Sequence, residues 1–311
     1  MKARAFQQVD VFGSAPYLGN PVAVVLDGAN LSSKEMQHFA QWTNLSETTF
    51  LLAPSTQGAS GGADYRVRIF TPGAELPFAG HPTLGSCHAW LQAGGKPKSE
   101  EIVQECAAGL IRIRRNGARL AFAAPPLRRS TPTPESLATI RTALGLRPEQ
   151  IRAAHLLDNG PVWLCLLLDS RQTVLALAPD HLALKQSGLK VGVAAIESTP
   201  GASTLIARSN REARAFSPSA TSLNLSDGDA IEIEVRAFAA AVGVPEDPVT
   251  GSLNASLAQW LIADGLAPSA YIATQGHCVG RYGQVHIEQD AAGQIWVGGD
   301  CFTCIEGQVT L

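Results

Sequence analysis

Alternation of apolar and polar positions predicts that much of the chain forms short strands. The alternation is clearest at residues 65–70 (YRVRIF) and 231–238 (IEIEVRAF), where nearly every second side chain is apolar. A period of two is typical of a strand that is buried on one face. The same pattern, or a short apolar run, predicts further strands at residues 4–12, 21–26, 49–53, 101–105, 110–114, 119–123, 153–157, 162–168, 191–197, 203–208, 271–275, 284–289 and 294–298.

Helical spacing of apolar residues, together with end signals, predicts a smaller number of helices. Ser32 and Glu35 form a capping-box pattern ahead of an apolar helical face, and this helix is expected to end near Asn44. A Gly- and Ser-rich stretch at residues 57–62 predicts a turn. Further helices are predicted at residues 135–144 and 175–187.

A motif is repeated in the two halves of the chain. Shifted by 166 positions (248 − 82), HPTLGSCHAWL and DPVTGSLNASL match without a gap. Each copy follows an Arg-x-Phe segment and joins turn residues to an apolar helical run, so each predicts a strand, a turn and a helix N-terminus. The matching positions are Pro82/Pro248, Gly85/Gly251, Ser86/Ser252, Ala89/Ala255 and Leu91/Leu257.

The duplication predicts two pseudo-symmetric domains of the α+β class. Antiparallel strands dominate each half and one long helix starts at each motif. Each domain is therefore expected to be a curled, barrel-like, mostly antiparallel sheet around a central helix. Pro125 and Pro126 suggest the boundary. The domains are predicted at residues 1–124 and 125–311, with the last strand free to cross back to the first domain.

The two predicted helix N-termini offer places for a small anion. A helix N-terminus has unpaired backbone N–H groups and the positive end of the helix dipole. Gly80 and Gly251 would let a ligand approach the backbone closely. Two such ends facing each other across a cleft would bind one small carboxylate. The alternative is a pair of capped amphipathic helices without a ligand.

Composition excludes several classes of function. The 311 residues are 45% hydrophobic and 16% charged, with a formal net charge of −3. No basic stripe is present, so nucleic acid is not an expected partner. The longest apolar run, residues 162–168, is too short to span a bilayer, and the N-terminal residues lack the apolar core of a signal peptide. A cytoplasmic protein with no membrane partner is expected.

The six cysteines are too sparse for a disulfide scaffold, so reduced thiols are expected. Cys301 and Cys304 form the only pair with the spacing of a metal or redox motif. They lie in a predicted strand–turn–strand segment without a second pair or a histidine cluster, whereas a redox motif would open a helix. No metal site is predicted.

Ionisable residues in or beside the two motifs are the candidates for chemistry: Glu47, His81, Glu246 and Asp247. A carboxylate that is partly desolvated in a cleft has a raised pKa, which suits it to move a proton on and off carbon. Glu47 is the preferred base. A solvated surface position at the junction of helix and strand is an equal alternative for this residue.

Six segments of the chain together resemble the phenazine-biosynthesis, PhzF-like isomerase family, which shares the fold of diaminopimelate epimerase. The resemblance covers nearly the whole chain and is most specific in ELPFAGHPTLG followed by EDPVTGS. It implies an isomerase that moves a proton within a small molecule, needs no metal or organic cofactor and forms a homodimer. The matching segments are VDVF, GNPVAVVLDG, NLSETTFL, RIFTPGAELPFAGHPTLG, GVPEDPVTGS and GRYGQVHI.

The resemblance also implies roles for particular residues. Glu47, with Ser46 beside it, would transfer the proton, while His81 and Asp247 would contact the substrate and assist as acid or base. The substrate is expected to be a small carboxylate-bearing metabolite that is cyclic or unsaturated. The residues expected to bind it are Ser46, Gly80, Thr83, Thr250, Gly251 and Ser252.

Two other functions remain open. Racemases of this fold use two thiols, one at each turn, and neither residues 78–82 nor residues 246–252 contain a cysteine. An epimerase with non-thiol bases, such as His81 opposed to Asp247, is one alternative, and a non-catalytic binder of small carboxylates is the other. Asn254 stands where many family members have a histidine, so the physiological substrate stays open.

Overall fold

The computed structural model describes residues 1–198 and 231–311. The strand predicted at residues 203–208 lies outside these ranges. The elements of the first half are β1 (Ala3–Val11), β2 (Asn20–Val25), α1 (Ser33–Thr43), β3 (Glu47–Leu52), α2 (Thr56–Ser60), β4 (Tyr65–Phe70), β5 (Glu75–Leu76), α3 (Gly80–Gln92), β6 (Ile102–Cys106), β7 (Gly109–Asn116) and β8 (Arg119–Ala123).

The second half has the same alternation of many strands with few helices. Short 3-10 turns lie at Pro148–Gln150, Ala240–Val242 and His277–Val279. Its other elements are β9 (Arg128–Ser130), α4 (Pro134–Ala143), β10 (Ile151–Asp158), β11 (Val162–Leu168), α5 (Arg171–Ala176), α6 (His181–Ser187), β12 (Lys190–Ser198), β13 (Ile231–Ala239), β14 (Val244–Asp247), α7 (Gly251–Ala263), β15 (Ala270–Gln275), β16 (Gly283–Gln289), β17 (Ile295–Gly299) and β18 (Cys301–Thr310).

Local end signals account for most of the helix boundaries. The capping box of Ser32 and Glu35 starts α1, and Asn44 ends it in the left-handed conformation, as predicted. The single helix predicted at residues 175–187 is wrong. The chain instead forms α5 and α6, because Pro179 interrupts the helix and the Asp180 side chain caps the first N–H groups of α6.

The turn predicted at residues 57–62 is also wrong in part, since α2 occupies most of that stretch. The Ser55 side chain accepts a hydrogen bond from the Gly58 N–H and so starts a short helix. The Gly- and Ser-rich composition correctly indicated an interruption between two strands. Because of the Ser55 cap, this interruption forms a short helix and not only a turn.

Strand pairing repeats in the two halves. β4 pairs with β3 and β5 antiparallel and with β6 parallel, and α3 lies in the connection between β4 and β6. In the same way, β13 pairs with β12 and β14 antiparallel and with β15 parallel, with α7 in the connection. Parallel neighbours need a long crossover, which is where a helix fits. The sequence repeat is therefore a repeated strand–strand–helix–strand unit.

The helices that begin at the two repeats are the most buried of the helices in residues 1–198 and 231–311. Nine of the 13 residues of α3 are buried, and ten of the 13 residues of α7. Each is packed against the inner faces of the strands around it, as the shared apolar core shows. The α+β fold with sheet-wrapped helices is confirmed. None of the described helices is long and apolar enough to cross a bilayer.

Strands from the two ends of the chain pair with each other. β18 runs antiparallel to the whole length of β1, from Ala3 opposite Thr310 to Val11 opposite Cys301. β17 pairs with β8. These two ladders join the first and second halves edge to edge and bring the starts of α3 and α7 together.

Candidate active site

Glu47 and His81 meet at the start of α3. Glu47 is the first residue of β3 and His81 the second residue of α3. The Glu47 Oε2 and His81 Nε2 atoms are 3.2 Å apart, with 16% and 5% of the side chains exposed. Among the described residues, neither atom has a hydrogen-bond partner. Two buried polar atoms thus face each other without a hydrogen bond, an arrangement that is unusual in a folded protein and marks this position as a candidate site.

Burial shifts the pKa values of this pair in opposite directions. It raises the pKa of Glu47 to about 6, against the lowering effect of a hydrogen bond from Ser46 and of the positive charge of Lys190. It lowers the pKa of His81 to about 4, although the negative charge of Asp247 and the carbonyl of Pro21 act in the opposite direction. At neutral pH the imidazole is neutral and the carboxyl group is close to its pKa, as a proton-transferring acid/base requires.

Asp247 approaches the same place from the second half. It ends β14, its Oδ1 accepts a hydrogen bond from Asn20 Nδ2 (2.9 Å), and its Oδ2 accepts one from Thr250 Oγ1 (2.6 Å). Burial, and then the nearby charge of Glu47, raise the pKa of Asp247 to about 6. Two carboxyl groups from different halves thus titrate near neutrality, and each affects the other.

Asn20 links the two halves at this point. The side chain is 1% exposed, and its Nδ2 also donates to the carbonyl oxygen of Val249 (2.9 Å). Its Oδ1 faces the hydroxyl of Ser46 at 3.5 Å. Asn20 was missed as a site residue. Its place in the GNPVAVV segment was the available signal, because a buried asparagine needs partners for both its donors and its acceptor.

A glutamine from β15 holds the turn before α7. Gln275 Nε2 donates to the Asp247 carbonyl oxygen (3.0 Å) and to Thr250 Oγ1 (2.9 Å). Gln275 Oε1 accepts from the Thr250 N–H (3.1 Å) and from Asn254 Nδ2 (2.9 Å). Thr250 and Asn254 are therefore engaged within the protein, and Asn254 helps to fix the turn that carries Asp247.

The remaining predicted residues lie at the starts of the two helices. Ser252 Oγ accepts from Trp163 Nε1 (3.3 Å), and its carbonyl oxygen accepts from Asn159 Nδ2 (2.9 Å). Thr83 is fully buried, and its hydroxyl accepts from Gln104 Nε2 at 2.9 Å. Thr83 thus has a protein partner on the core side of α3.

Gly80 and Gly251 lie against each other. A Cβ built on either residue would come within 2.9 to 3.0 Å of the other residue's Cα. Phe122 packs against both positions, with ring atoms 2.9 Å from a Cβ on Gly80 and 3.3 Å from one on Gly251. Only glycine allows this approach without movement, so the two helix starts converge at this contact.

The two central helices also differ from the other described helices in how they begin. α1, α2, α4, α5 and α6 each have a side-chain cap, whereas α3 and α7 have none, with Ala79 and Thr250 at the cap positions. Their first N–H groups are left for other partners. Two uncapped N-termini beside a histidine and two carboxyl groups can hold an anion.

The other candidate residues are paired within the protein, buried in the core or placed on other strands. Glu246 is bound at both carboxylate oxygens by Arg236 (2.9 and 2.8 Å). Cys87 is fully buried in α3, where burial raises the pKa of its thiol to about 12. Cys301 and Cys304 lie on β18, and no group of three metal-ligating side chains occurs among residues 1–198 and 231–311.

The fold and the named relatives define the chain as an isomerase. Residues 9–307 match the family model described as phenazine biosynthesis-like protein, and the chain belongs to that family. The resemblance drawn from the motifs is thereby confirmed.

Relatives cover the full length of the chain. It is 33% identical to antisense-enhancing sequence 1 of Schizosaccharomyces pombe over 99% of both chains. It is 31% identical to the trans-2,3-dihydro-3-hydroxyanthranilate isomerase of Pseudomonas aeruginosa, over 97% of this chain and 98% of the other. The crystal structure of the PhzF-family phenazine biosynthesis protein of Bacillus anthracis superimposes with a TM-score of 0.76 over 100% of both chains, at 20% identity.

Proposed function

We propose that the protein is a cofactor-independent isomerase that moves a proton on a small, carboxylate-bearing metabolite that is cyclic or unsaturated. Glu47 is the acid/base of this reaction. The observation that carries the proposal is the buried Oε2 of Glu47, which has no partner among the described residues and lies 3.2 Å from His81 Nε2. With a pKa of about 6, this carboxyl group can accept and release a proton near neutral pH.

The uncapped starts of α3 and α7 supply the binding of the substrate carboxylate. Neither helix start has a side-chain cap for its first N–H groups, and both helix dipoles favour a negative charge there. His81 is neutral at working pH and contacts the substrate beside Glu47, while Asp247 contacts it from the other half. Asn20 and Thr250 hold Asp247 in place for this contact.

The reaction needs no net change in protons or electrons. The ionised Glu47 removes a proton from a saturated carbon, and the C–H electron pair forms a new double bond to the neighbouring carbon. The electron pair of the former double bond shifts to the carbon at its far end, and the protonated Glu47 delivers the proton to that carbon. The Pseudomonas relative is named for trans-2,3-dihydro-3-hydroxyanthranilate, which has these features and is the first substrate to test.

The test is solvent-isotope exchange with that compound in D₂O, followed by mass spectrometry. The wild-type protein is expected to convert it and to incorporate deuterium at the carbon that receives the proton. Glu47→Gln keeps the shape of the side chain and removes the acid/base, so conversion is expected to fall by about 10³-fold or more. Glu100→Gln, at an exposed position, is the matched control.

Circular dichroism and an unfolding curve show whether each variant is folded. Conversion or exchange retained in a folded Glu47→Gln variant would remove Glu47 from the mechanism. If the compound is not converted, a panel of cyclic and unsaturated carboxylates in D₂O replaces it, and the same pair of variants is compared on any compound that exchanges.

An epimerase with two non-thiol bases is the second candidate. It is favoured by one observation: Asp247 also has a pKa of about 6 and reaches the cleft from the half opposite to Glu47. Removing a proton on one face and returning it on the other requires two such groups. Chiral chromatography of amino- and hydroxy-acids after incubation separates the two, because an epimerase inverts one centre and leaves the double bonds unmoved.

A further inference from the structure

Lys190 occupies, in the second half, the position that Glu47 occupies in the first. In the first half, Phe70 of β4 lies opposite Thr48, so Glu47 is the next residue towards the start of β3. In the second half, Phe238 of β13 lies opposite Val191, so Lys190 is the next residue towards the start of β12. Phe70 and Phe238 are the matching positions of the two Arg-x-Phe segments.

The parallel neighbours agree with this equivalence. Glu47 is in register with Val22 of β2, and Lys190 with Trp163 of β11. Both ionisable residues therefore start a strand that lies parallel to one neighbour and antiparallel to the other. Since Glu47 faces the start of α3, the counterpart Lys190 is expected to face the start of α7.

Contacts around β12 bear this out. The Lys190 Nζ lies 5.8 Å from the centre of the Trp163 ring, and the indole N–H of Trp163 donates to Ser252 in the first turn of α7. Gly192, two residues along and hence on the same face of β12, would place a Cβ against the side chain of Leu253 in α7. This face of β12 is therefore turned to the start of α7.

The ammonium group lies in the same electrostatic environment as the two cleft carboxyls. Burial lowers the pKa of Lys190, while the charges of Glu47 and Asp247 raise it. Within the part of the chain that the structure describes, no carboxylate forms an ion pair with Lys190. Asn159, which donates to the Ser252 carbonyl and is 5% exposed, leaves its own Oδ1 without a partner among the same residues.

We propose that Lys190, in contact with Trp163, forms a subsite that binds the carboxylate of the substrate at the start of α7. The inference rests on the proposed function, because the ligand is taken to be the substrate of Glu47. It goes further in giving that ligand an orientation: the carboxylate lies at α7 and Lys190, and the carbon that exchanges its proton lies at α3 and Glu47.

Charge supports this assignment. Glu47 and Asp247 are both largely ionised above pH 6, so a carboxylate entering between them would be repelled. A half-buried ammonium facing both removes that repulsion and attracts the ligand. The Lys190 Nζ lies over the Trp163 ring, 5.8 Å from its centre, and a contact of this kind uses none of its three N–H donors in a hydrogen bond to oxygen.

The experiment measures binding, so that it does not depend on turnover. Anthranilate, benzoate and trans-cinnamate are titrated against the protein by calorimetry, each beside its neutral amide. The ratio of the amide Kd to the carboxylate Kd measures how much more tightly the protein binds the charged ligand than the neutral one. The variants are Lys190→Met and Lys190→Arg, with the exposed Lys96→Met as the matched control.

Wild type and Lys96→Met are expected to prefer at least one carboxylate over its amide. In Lys190→Met, the Kd of that carboxylate is expected to rise by about ten- to hundredfold, which corresponds to loss of a hydrogen bond to a charged group. The Kd of the amide should not change. Lys190→Arg keeps the charge and should keep most of the preference.

Three results would overturn the subsite: no preference for any carboxylate in the wild type, equal weakening of carboxylate and amide binding in Lys190→Met, or unchanged binding of both ligands in that variant. The last result, with an altered pH profile, would assign Lys190 to charge balance with Glu47 and Asp247 alone. Glu47→Gln titrated in parallel separates this outcome from failure of the proposed function, because loss of exchange and loss of the carboxylate preference are scored independently.

Discussion

Glu47 lies where its charged form is disfavoured, and this has a consequence for stability. Burial raises the pKa of its carboxyl group from 4.5 to about 6, so the folded protein binds this proton more tightly than the unfolded chain. The resulting stabilisation is fully present below pH 4.5 and is lost as the pH rises through about 6. Above that pH the ionised side chain costs up to about 2 kcal/mol of unfolding free energy.

Replacing Glu47 by glutamine is therefore expected to stabilise the protein while it abolishes exchange. Urea unfolding at pH 8 should show a gain of up to about 2 kcal/mol, and the gain should disappear at pH 4, where the native carboxyl group is already neutral. Glu100→Gln should show no gain at either pH. A loss of stability for Glu47→Gln at pH 8 would contradict the pKa shift, because it would mean that the carboxylate is stabilised in the fold.

Motifs in the sequence predicted Glu47, His81 and Asp247 as site residues, because each lies at the end of an element that has its own local pattern. Asn20 had a signal of its own in the GNPVAVV segment, but Lys190 could not be found from a motif. Its position depends on which strands pair and in which register, as in the alignment of Lys190 with Trp163. Pairing between distant segments leaves no trace in the local sequence around Lys190.

At the scale of elements, an arginine–glutamate pair supports the strand before each turn. Arg68 contacts both carboxylate oxygens of Glu75 (2.7 and 2.6 Å), as Arg236 does those of Glu246 (2.9 and 2.8 Å). Each guanidinium also lies 5.0 Å from the ring centre of the phenylalanine two residues along. The pairs differ in burial: 18% and 35% of the side chains are exposed in the first, 4% and 8% in the second.

This difference provides a matched comparison. Glu246→Gln leaves a buried guanidinium without its counter-charge and is expected to lower the unfolding free energy by about 3 kcal/mol. Glu75→Gln breaks the same geometry near the surface and should cost less than about 1 kcal/mol. Urea unfolding of the two variants checks this. Equal losses of unfolding free energy in the two variants would show that burial does not determine how much these ion pairs contribute to stability.

Element types were predictable where the chain carries its own signals. The capping box of Ser32 and Glu35 predicted the start of α1, and the two-residue periodicity predicted strands. The division between α5 and α6 was missed, although Pro179 and Asp180 stand in the sequence, because helical spacing was given more weight than the stop signal. The sequence analysis allowed the last strand to cross back to the first half, but the register of β18 against β1 could not be predicted, since those strands lie at opposite ends of the chain.

For the whole molecule, the approach of Gly80 to Gly251 sets how closely the two halves meet. Alanine at either position would place a methyl group within 2.9 to 3.0 Å of the opposite Cα and against the Phe122 ring. Overpacking of this kind costs roughly 1–3 kcal/mol, which outweighs a gain in helix propensity of up to about 1 kcal/mol.

Gly80→Ala and Gly251→Ala are each expected to destabilise the protein by that amount. The double variant should lose less than the sum, because one methyl group already forces the helix starts apart. Gly73→Ala, where the nearest atom to a Cβ is 3.9 Å away, should change the unfolding free energy by less than about 0.5 kcal/mol. Denaturant unfolding of the four proteins measures the coupling, and strictly additive losses would mean that the two positions do not touch.

The bridge made by Asn20 has a further consequence, for the chemical ageing of the protein. An asparagine loses its amide when the backbone nitrogen of the next residue attacks the side chain, and Pro21 has no N–H with which to do so. The amide that donates to Asp247 and to the Val249 carbonyl is thereby shielded from deamidation. Deamidation would put a third carboxylate beside Asp247 and Glu47. Asn116 is exposed and is followed by glycine, so it has no such protection. Its deamidation would not add a charge beside Asp247 and Glu47.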